Sequence, residues 1–435
     1  MVQKNNKNRS AIAVAGKKFR TKNISKRVRK IVISPIKEMS ILADQLEEKI
    51  GKGKIISFGQ GIPFLDTPIY IKQSIKKILN EKSTAFYTLE PGITELRQLI
   101  AKYLQKEKGI KNVLAKKEIM VSTGAQEALA CALATIIDPG DEVLVVSPAF
   151  ASHIEQVIQF GGIPKFVLLN EKKGWALDIK ECEKKLNKKT KAIILSHPSN
   201  PTGKVLNKKE ISDLAKFIKK HNLILITDET YDFLTYDNIK HISPVSIPNI
   251  RNRVILIGSF SKKYRVTGYR IGYAFADEGI IDHMLKVHDA LTICAPAISQ
   301  KAIIAAFKNK TESNKSITKL KKAMSFNRRL MCKELDKLSD IFEYQKPMGA
   351  YYILVKISAK GGSASGRKIP KINSFKLSLK ILKEAHIITI PGAAFGPNGK
   401  GHLRFSFAGE TKDIKKGFQR LQKWAIQWKK NNYKL

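Results

Sequence analysis

The sequence predicts an α/β fold in which a mostly parallel sheet is covered by helices, followed by a smaller α+β domain. Three observations carry this expectation. Between about Thr67 and Asn309, helical patterns alternate with short apolar runs at 142–146, 192–195, 223–226 and 254–257. Strands that are apolar at every position are buried on both faces, as in a parallel sheet sandwiched between helices. Toward the carboxyl end the order changes, because a lysine-rich stretch at 316–322 is followed by an apolar strand at 351–355, a helix at about 374–384 and a strand at 403–407. A length of 435 residues accommodates one large and one smaller domain. Ahead of the alternating region, an apolar strand at 54–58 leads into Gly59-Gln60-Gly61-Ile62-Pro63, and the Gly-, Ser- and Lys-rich stretch 360–370 reads as a surface loop.

Charge and cysteine usage bound the function. The 79 Lys and Arg against 37 Asp and Glu leave a formal charge of +42, which raises the question of nucleic acid. Lysine is spread along nearly every predicted helix without interleaved stacking aromatics, so nucleic acid is expected to make only weak electrostatic contact. Residues 1–36 hold no Asp or Glu and eleven Lys or Arg, among them Lys4, Arg9, Lys17, Lys18, Arg20, Arg27 and Arg29. This stretch cannot bury enough apolar surface to fold alone. It reads as a disordered basic tail over 1–24, with an organellar transit peptide as the alternative. Cys131, Cys182, Cys294 and Cys332 show neither disulfide nor zinc spacing, which suggests a reducing compartment. No apolar run is long enough to cross a bilayer, and a cytoplasmic location is expected.

The chemistry centres on Lys262, in the run Ser259-Phe260-Ser261-Lys262-Lys263-Tyr264-Arg265-Val266-Thr267-Gly268-Tyr269-Arg270-Ile271-Gly272. The apolar strand at 254–257 would deliver this run to the carboxyl edge of the sheet, where ligands of open α/β folds bind. Ser259, Ser261 and Arg270 supply hydroxyl and guanidinium donors for a phosphate dianion. A lysine amine flanked by phosphate donors points to pyridoxal 5'-phosphate, with Lys263 a rival for the register. The Gly124 turn before a helix opening at Ala125 and Gln126 would present free amides and the positive end of the helix dipole to the same phosphate.

The pattern Ser-x-Ser-Lys followed by Gly268-x-Arg270-x-Gly272 resembles the lysine signature of the fold-type I, class I/II aminotransferases, aspartate aminotransferase-like, over roughly residues 25–430. The resemblance implies roles for further residues. Asp228, at the end of the strand at 223–226, matches the carboxylate that faces the pyridine nitrogen, and Tyr231 the phenol at the ring 3-oxygen. Asn200, in Asn200-Pro201-Thr202-Gly203, matches the amide that reaches that oxygen and the substrate carboxylate, and Phe150 the aromatic ring stacked on the cofactor. Arg404 matches the bidentate clamp for the substrate carboxylate, Gly61 the glycine that leaves it room, and Tyr87 a phenol given to the phosphate of the neighbouring subunit. His153 would either orient Asp228 from behind or face solvent. The implied organisation is an N-terminal arm and part of the small domain over 25–66, a large cofactor domain over 67–309 and a small domain over 310–435, assembled as a homodimer with shared active sites.

The implied reaction is ping-pong transfer of an amino group from an L-amino acid to a 2-oxo acid such as 2-oxoglutarate. Aspartate and glutamate are the leading donors. One aspartate-using subgroup has a lysine where this chain has Ala125, so that contact to a distal carboxylate is missing. The alternatives are an aromatic- or alanine-preferring aminotransferase, a cysteine-conjugate β-lyase using the same residues, and a basic nucleic-acid-associated protein that has lost catalysis. No metal-spaced His or Cys pair, Walker loop or nucleophile elbow is apparent.

Overall fold

The computed structural model describes residues 24–31, 34–358, 373–431 and 433. Most of the basic tail and the loop at 360–370 lie outside the described residues. A short strand, Ile56–Ser57 (β1), is followed by the seven strands of the main sheet: Ile119–Ser122 (β2), Glu142–Ser147 (β3), Ile163–Leu168 (β4), Thr190–Ser196 (β5), Ile224–Asp228 (β6), Val254–Ser259 (β7) and Gly272–Phe275 (β8). Their spatial order is β2-β8-β7-β6-β5-β3-β4, with β3 to β7 parallel and β8 antiparallel to both neighbours.

The strand sequences explain the sandwich. Leu144, Ile193, Leu225 and Leu256 point into one apolar layer, while Val143, Val145, Ile194, Ile226 and Ile257 point into the other. Side chains alternate across a strand, so a run apolar at every position fills both layers. The helices Thr94–Lys108 and Ala297–Lys308 line the first layer; Ala125–Ile136 and Glu278–Thr292 line the second.

A second core forms around the antiparallel sheet of Phe342–Tyr344 (β9), Tyr352–Ile357 (β10), Ile390–Pro391 (β12) and His402–Ser406 (β13), while Ile387–Ile388 (β11) pairs with β1. The expected strand at 54–58 shortens to β1, because β11 offers only two residues to pair with Ile56 and Ser57. The lysine-rich stretch 316–322 does not interrupt structure. It lies inside the 27-residue helix Lys310–Asp336, whose Leu320, Met324 and Met331 are buried at helical spacing while Lys319, Lys321 and Lys322 face solvent. Among the described residues no helix is long and apolar enough to cross a membrane.

Under the carboxyl ends of β6 and β7 lies a buried ion cluster. Lys108 Nζ sits 2.6 Å from Glu229 and 2.5 Å from Asp232, its side chain 2% exposed. Burial alone would discharge this ammonium, but Asp232 and Glu229 hold it well above the ordinary lysine range. Burial pushes Asp232 up in turn, and Lys108 and Lys263 more than reverse that. Lys108→Met therefore strips two buried carboxylates of the cation they share, and should lower stability by ~3–5 kcal/mol, read as a lower urea midpoint than that of the exposed control Lys106→Met. Equal midpoints would show that the cluster contributes nothing.

Candidate active site

The carboxyl ends of β5, β6 and β7 register side by side, with Ser196 opposite Asp228 and Asp228 opposite Ile257, while Ser259 and Ser122 both face Gly272 of β8. Over this edge opens a cavity of ≈ 250 Å³. Its wall contains Lys262, Asp228, Tyr231, Asn200, Phe150 and Arg404. Gly61, Ala125, Gln126, Ser259, Ser261 and Arg270 complete the expected set. Tyr87 is the exception: it lies outside this cavity and is 78% exposed.

The phosphate end is built by two glycines. Gly124 has φ +81° and a Cβ there would press on the Arg270 guanidinium, while a Cβ on Gly272 would lie 2.8 Å from the amide nitrogen of Ala125. The first amides of a helix have no partner within it, so Ala125 and Gln126 open onto the cavity. Arg270 itself adopts φ +51° in the turn between β7 and β8, and its Nη1 donates to the Thr267 carbonyl at 2.9 Å. Helix amides, two serine hydroxyls and a guanidinium converge where a dianion would sit.

Lys262 Nζ donates to the Gly61 carbonyl at 2.8 Å, an oxygen that also accepts from the Tyr351 hydroxyl at 2.7 Å. Burial, followed by the charges of Arg270 and Arg404, pushes the Lys262 amine down to about 8 against the pull of Asp228. Lys263 points away from the cavity, its Nζ 4.0 Å from the centre of the Tyr103 ring. Of the two neighbours, Lys262 is the one that lines the cavity.

Asp228 accepts from the Thr230 amide and hydroxyl at 3.1 and 2.7 Å on one oxygen, and meets His153 Nε2 at 3.1 Å on the other. Burial raises its carboxyl, but the hydrogen bond and charge of His153 and the Thr230 donors outweigh that and leave it below the usual carboxylate range. His153 is fully buried rather than solvent-facing, because the helix Ala151–Gln159 turns that face onto the sheet. Phe150, just before this helix, packs edge-on to His153 with ring centres 5.6 Å apart.

Arg404 on β13 is buried between two aromatic rings: it lies 4.5 Å over Tyr352 and 5.2 Å over Phe395, donates to Asn200 Oδ1 at 3.2 Å and to the Gly59 carbonyl, and keeps its Nε buried without a partner. A Cβ on Gly61 would collide with the Tyr352 hydroxyl, which bonds the Tyr231 hydroxyl at 2.8 Å. An amine held near neutrality, an ionised acid, an anion cradle and a second, under-satisfied guanidinium fit pyridoxal phosphate and a carboxylate-bearing substrate.

The sequence reading missed Ile36, Thr230, Thr267 and Tyr352 in the wall. Thr230 had a local signal, since an Asp two residues before it invites a side chain to backbone turn; Tyr352 could be found only from the β10–β13 pairing that sets it beside Arg404. Behind the anion cradle, Glu127 Oε1 accepts from Cys131 at 2.7 Å and meets His288 Nδ1 at 2.9 Å, a mixed-donor cluster that no spacing in the sequence announced.

Fold and site together define an enzyme of the pyridoxal-phosphate-dependent transferase class. The chain belongs to the aminotransferase class I and II family, whose model matches residues 53–421. It is 36% identical over 395 residues to an aspartate aminotransferase of Sulfurisphaera tokodaii, covering 89% of this chain and 94% of that one. It is also 32% identical over 400 residues to aromatic-amino-acid aminotransferase 2 of Thermococcus litoralis, covering 92% and 97%. Among solved structures, the aspartate aminotransferase of Thermus thermophilus with maleate superposes with a TM-score of 0.83 at 27% identity over 92% of this chain and 98% of that one. The aromatic aminotransferase of Pyrococcus horikoshii gives 0.81 at 34% over 90% and 99%.

The lowered Lys262 amine makes a directional prediction for the cofactor-free protein. A group whose folded pKa is depressed to about 8 is neutral above that pH, so capture of pyridoxal phosphate should speed up about tenfold from pH 7 to 9 and then level off. Borohydride should fix the captured cofactor on Lys262, read by peptide mass, and Lys262→Ala should abolish both the mass shift and turnover. A rate still climbing beyond pH 10 would contradict the buried, cation-flanked setting.

Proposed function

We propose that this aminotransferase moves the amino group of aspartate or glutamate to a 2-oxo acid such as 2-oxoglutarate by a ping-pong cycle. The observation that carries the reading is the convergence of Lys262, Asp228 and the Asn200–Arg404 pair on one cavity. Pyridoxal phosphate, when bound, supplies the carbonyl that takes the amino group and the ring that accepts the electron pair left at the substrate Cα.

The chain's residues do the rest. Ala125 and Gln126 amides, Ser259, Ser261 and Arg270 hold the phosphate, and Asp228 keeps a negative charge against the ring nitrogen because His153 and Thr230 stabilise it. Tyr231 and Asn200 would hold the ring 3-oxygen, and Phe150 would pack against the ring. Arg404 grips the substrate α-carboxylate beside Gly61, where the absence of a side chain leaves room. Lys262 Nζ, neutral once above about pH 8 and closer to neutral than a free lysine below it, takes the proton from Cα and returns one in the opposite half-reaction.

The aspartate part of this reading is supported by relatives named aspartate aminotransferase at 34–36% identity. A second reading, an aromatic donor, is favoured by Ile36 and Phe150 in the wall and by the lining itself, in which Lys262, Arg270 and Arg404 are the cations and Arg404 alone is left for a carboxylate. The choice is made by mixing cofactor-loaded enzyme with each amino acid in a single turnover and following loss of the visible band. Aspartate and glutamate should react fastest. Aromatic or alanine rates about tenfold higher would replace the donor assignment, and pyruvate with ammonia from a cysteine conjugate would replace transfer by the lyase reaction.

The reading includes a homodimer in which exposed Tyr87 reaches the partner's phosphate, with an arm over 25–66, a large domain over 67–309 and a small domain over 310–435, acting in the cytoplasm. Exposure of Phe86, Tyr87 and Leu89 together is consistent with a surface that another subunit covers. Subunit exchange between Tyr87→Phe and Lys262→Ala variants should restore part of one active site per dimer. An active species that sediments as a monomer would remove this part of the proposal.

A further inference from the structure

We propose that the chain carries a second ligand site, on the reverse side of the turn that bears Lys262, where a small aromatic anion is held by Lys263. A cavity of ≈ 680 Å³ opens there, between the helices Thr94–Lys108 and Lys310–Asp336 and the segment after β6. That is within the range of roughly 300–1,000 Å³ typical of small-molecule sites, and exceeds the ≈ 250 Å³ of the catalytic cavity.

The placement follows from alternation along the chain. Tyr231 and Lys262 line the catalytic cavity, whereas their next neighbours Asp232 and Lys263 line the second one. Each cavity is thus one peptide unit from the other at two points. A ligand against Lys263 would bear directly on the backbone that positions Lys262.

The lining is specific about charge and shape. Tyr103, Tyr264 and Phe307 form an aromatic floor of mutually inclined rings, Tyr103 and Phe307 with centres 6.2 Å apart and planes 58° apart, Tyr264 and Phe307 with centres 6.4 Å apart and planes 71° apart. Lys263 is half-buried over Tyr103 and has no hydrogen-bond acceptor among the described residues. Burial pushes its amine down to about 8 despite Asp232, so the protein leaves this cation under-compensated. The acids nearby reach Lys263 through charge alone: Asp232 is hydrogen-bonded by Lys108 at 2.5 Å and by the Tyr103 hydroxyl at 2.8 Å, and Glu107 stands exposed at the rim. Exposed Lys102, Lys106 and Lys321 at the mouth add attraction for an anion. A planar apolar body bearing a phosphate would meet these inclined rings by edge and face and pair with Lys263.

The test is calorimetric titration of the cofactor-loaded enzyme, whose phosphate cradle is filled, with phenyl phosphate at about 0.15 M salt, where diffuse surface attraction is largely screened. Saturable binding of one phenyl phosphate per chain is expected, weakened about tenfold by Lys263→Met and preserved by Lys263→Arg. Lys102→Ala/Lys106→Ala, in which only exposed residues change, should weaken it several-fold and serves if Lys263→Met does not fold. Inorganic phosphate should bind markedly more weakly, having nothing to lay on the aromatic floor, and Arg404→Leu should leave the affinity unchanged. No saturable binding, an affinity indifferent to Lys263 and to the rim lysines, phosphate binding as tight as phenyl phosphate, or loss in Arg404→Leu would each overturn the site.

Discussion

The site depends on how closely β8 approaches the start of the helix Ala125–Ile136. Gly272 brings its Cα so near the Ala125 amide that a side chain has no room, and Gly124 turns with a positive φ to make way for Arg270. These contacts bring the turn between β7 and β8, with Ser259, Ser261, Lys262 and Arg270, over the helix's free amides. Three sources of positive potential thereby meet without any of them being spent on an internal acid. A cradle assembled in advance costs the protein electrostatic repulsion in its ligand-free state and returns it as affinity for a dianion.

Beneath the edge, the chain solves the opposite problem. Asp228 must stay ionised at a buried position, and its immediate successor Glu229 is wholly buried too. Two adjacent carboxylates would raise each other, but they point to opposite sides. Asp228 is served by His153 and Thr230, and Glu229 by Lys108 at 2.6 Å and by the Ser243 hydroxyl at 2.6 Å. The imidazoles of His197 and His241, tilted against each other with ring centres 4.5 Å apart, are both pushed down to about 3, chiefly by burial. They are neutral at physiological pH, so the charge beneath the site resides in Lys108, Glu229 and Asp232.

What could be read from the sequence follows from which constraints are local. Four strands of the main sheet, β3, β5, β6 and β7, were legible because burial on both faces makes nearly every position apolar, and the Lys262 turn because its donors lie within twelve residues of one another; β2, β4 and β8 were not anticipated, and β4, at the sheet edge, buries only Val167. The strands at 351–355 and 403–407 and the helix at about 374–384 were legible too, each displaced by a residue or two, whereas the short β9, β11 and β12 were not. Pairing partners are long-range and leave little local trace: β1 contracts to what β11 can match, and Tyr352 enters the site only through β10–β13 register. The lysine-rich stretch 316–322 shows the converse, a local composition that looks like a break but is the solvent face of a continuous helix. His153 was undecidable in sequence because a helix reveals its buried face only when the surrounding layer is known.

The excess of lysine has little to do with the site's chemistry. Charges on exposed helices act through water and are screened beyond a Debye length of about 8 Å at physiological salt, so they can speed the approach of anionic substrates without choosing among them. Selection belongs to cations removed from water. Arg404 is buried with an unpartnered Nε, and Lys262 is held near neutrality by burial and by its cationic neighbours. Lysines could be exchanged for neutral residues over most of the surface with the cavity's potential nearly unchanged, whereas moving Arg404 off β13 would remove the guanidinium that Asn200 and Gly59 orient. Under the proposed function, the choice of a carboxylate would rest on this buried strand, whereas the formal charge of +42 is a property of the surface.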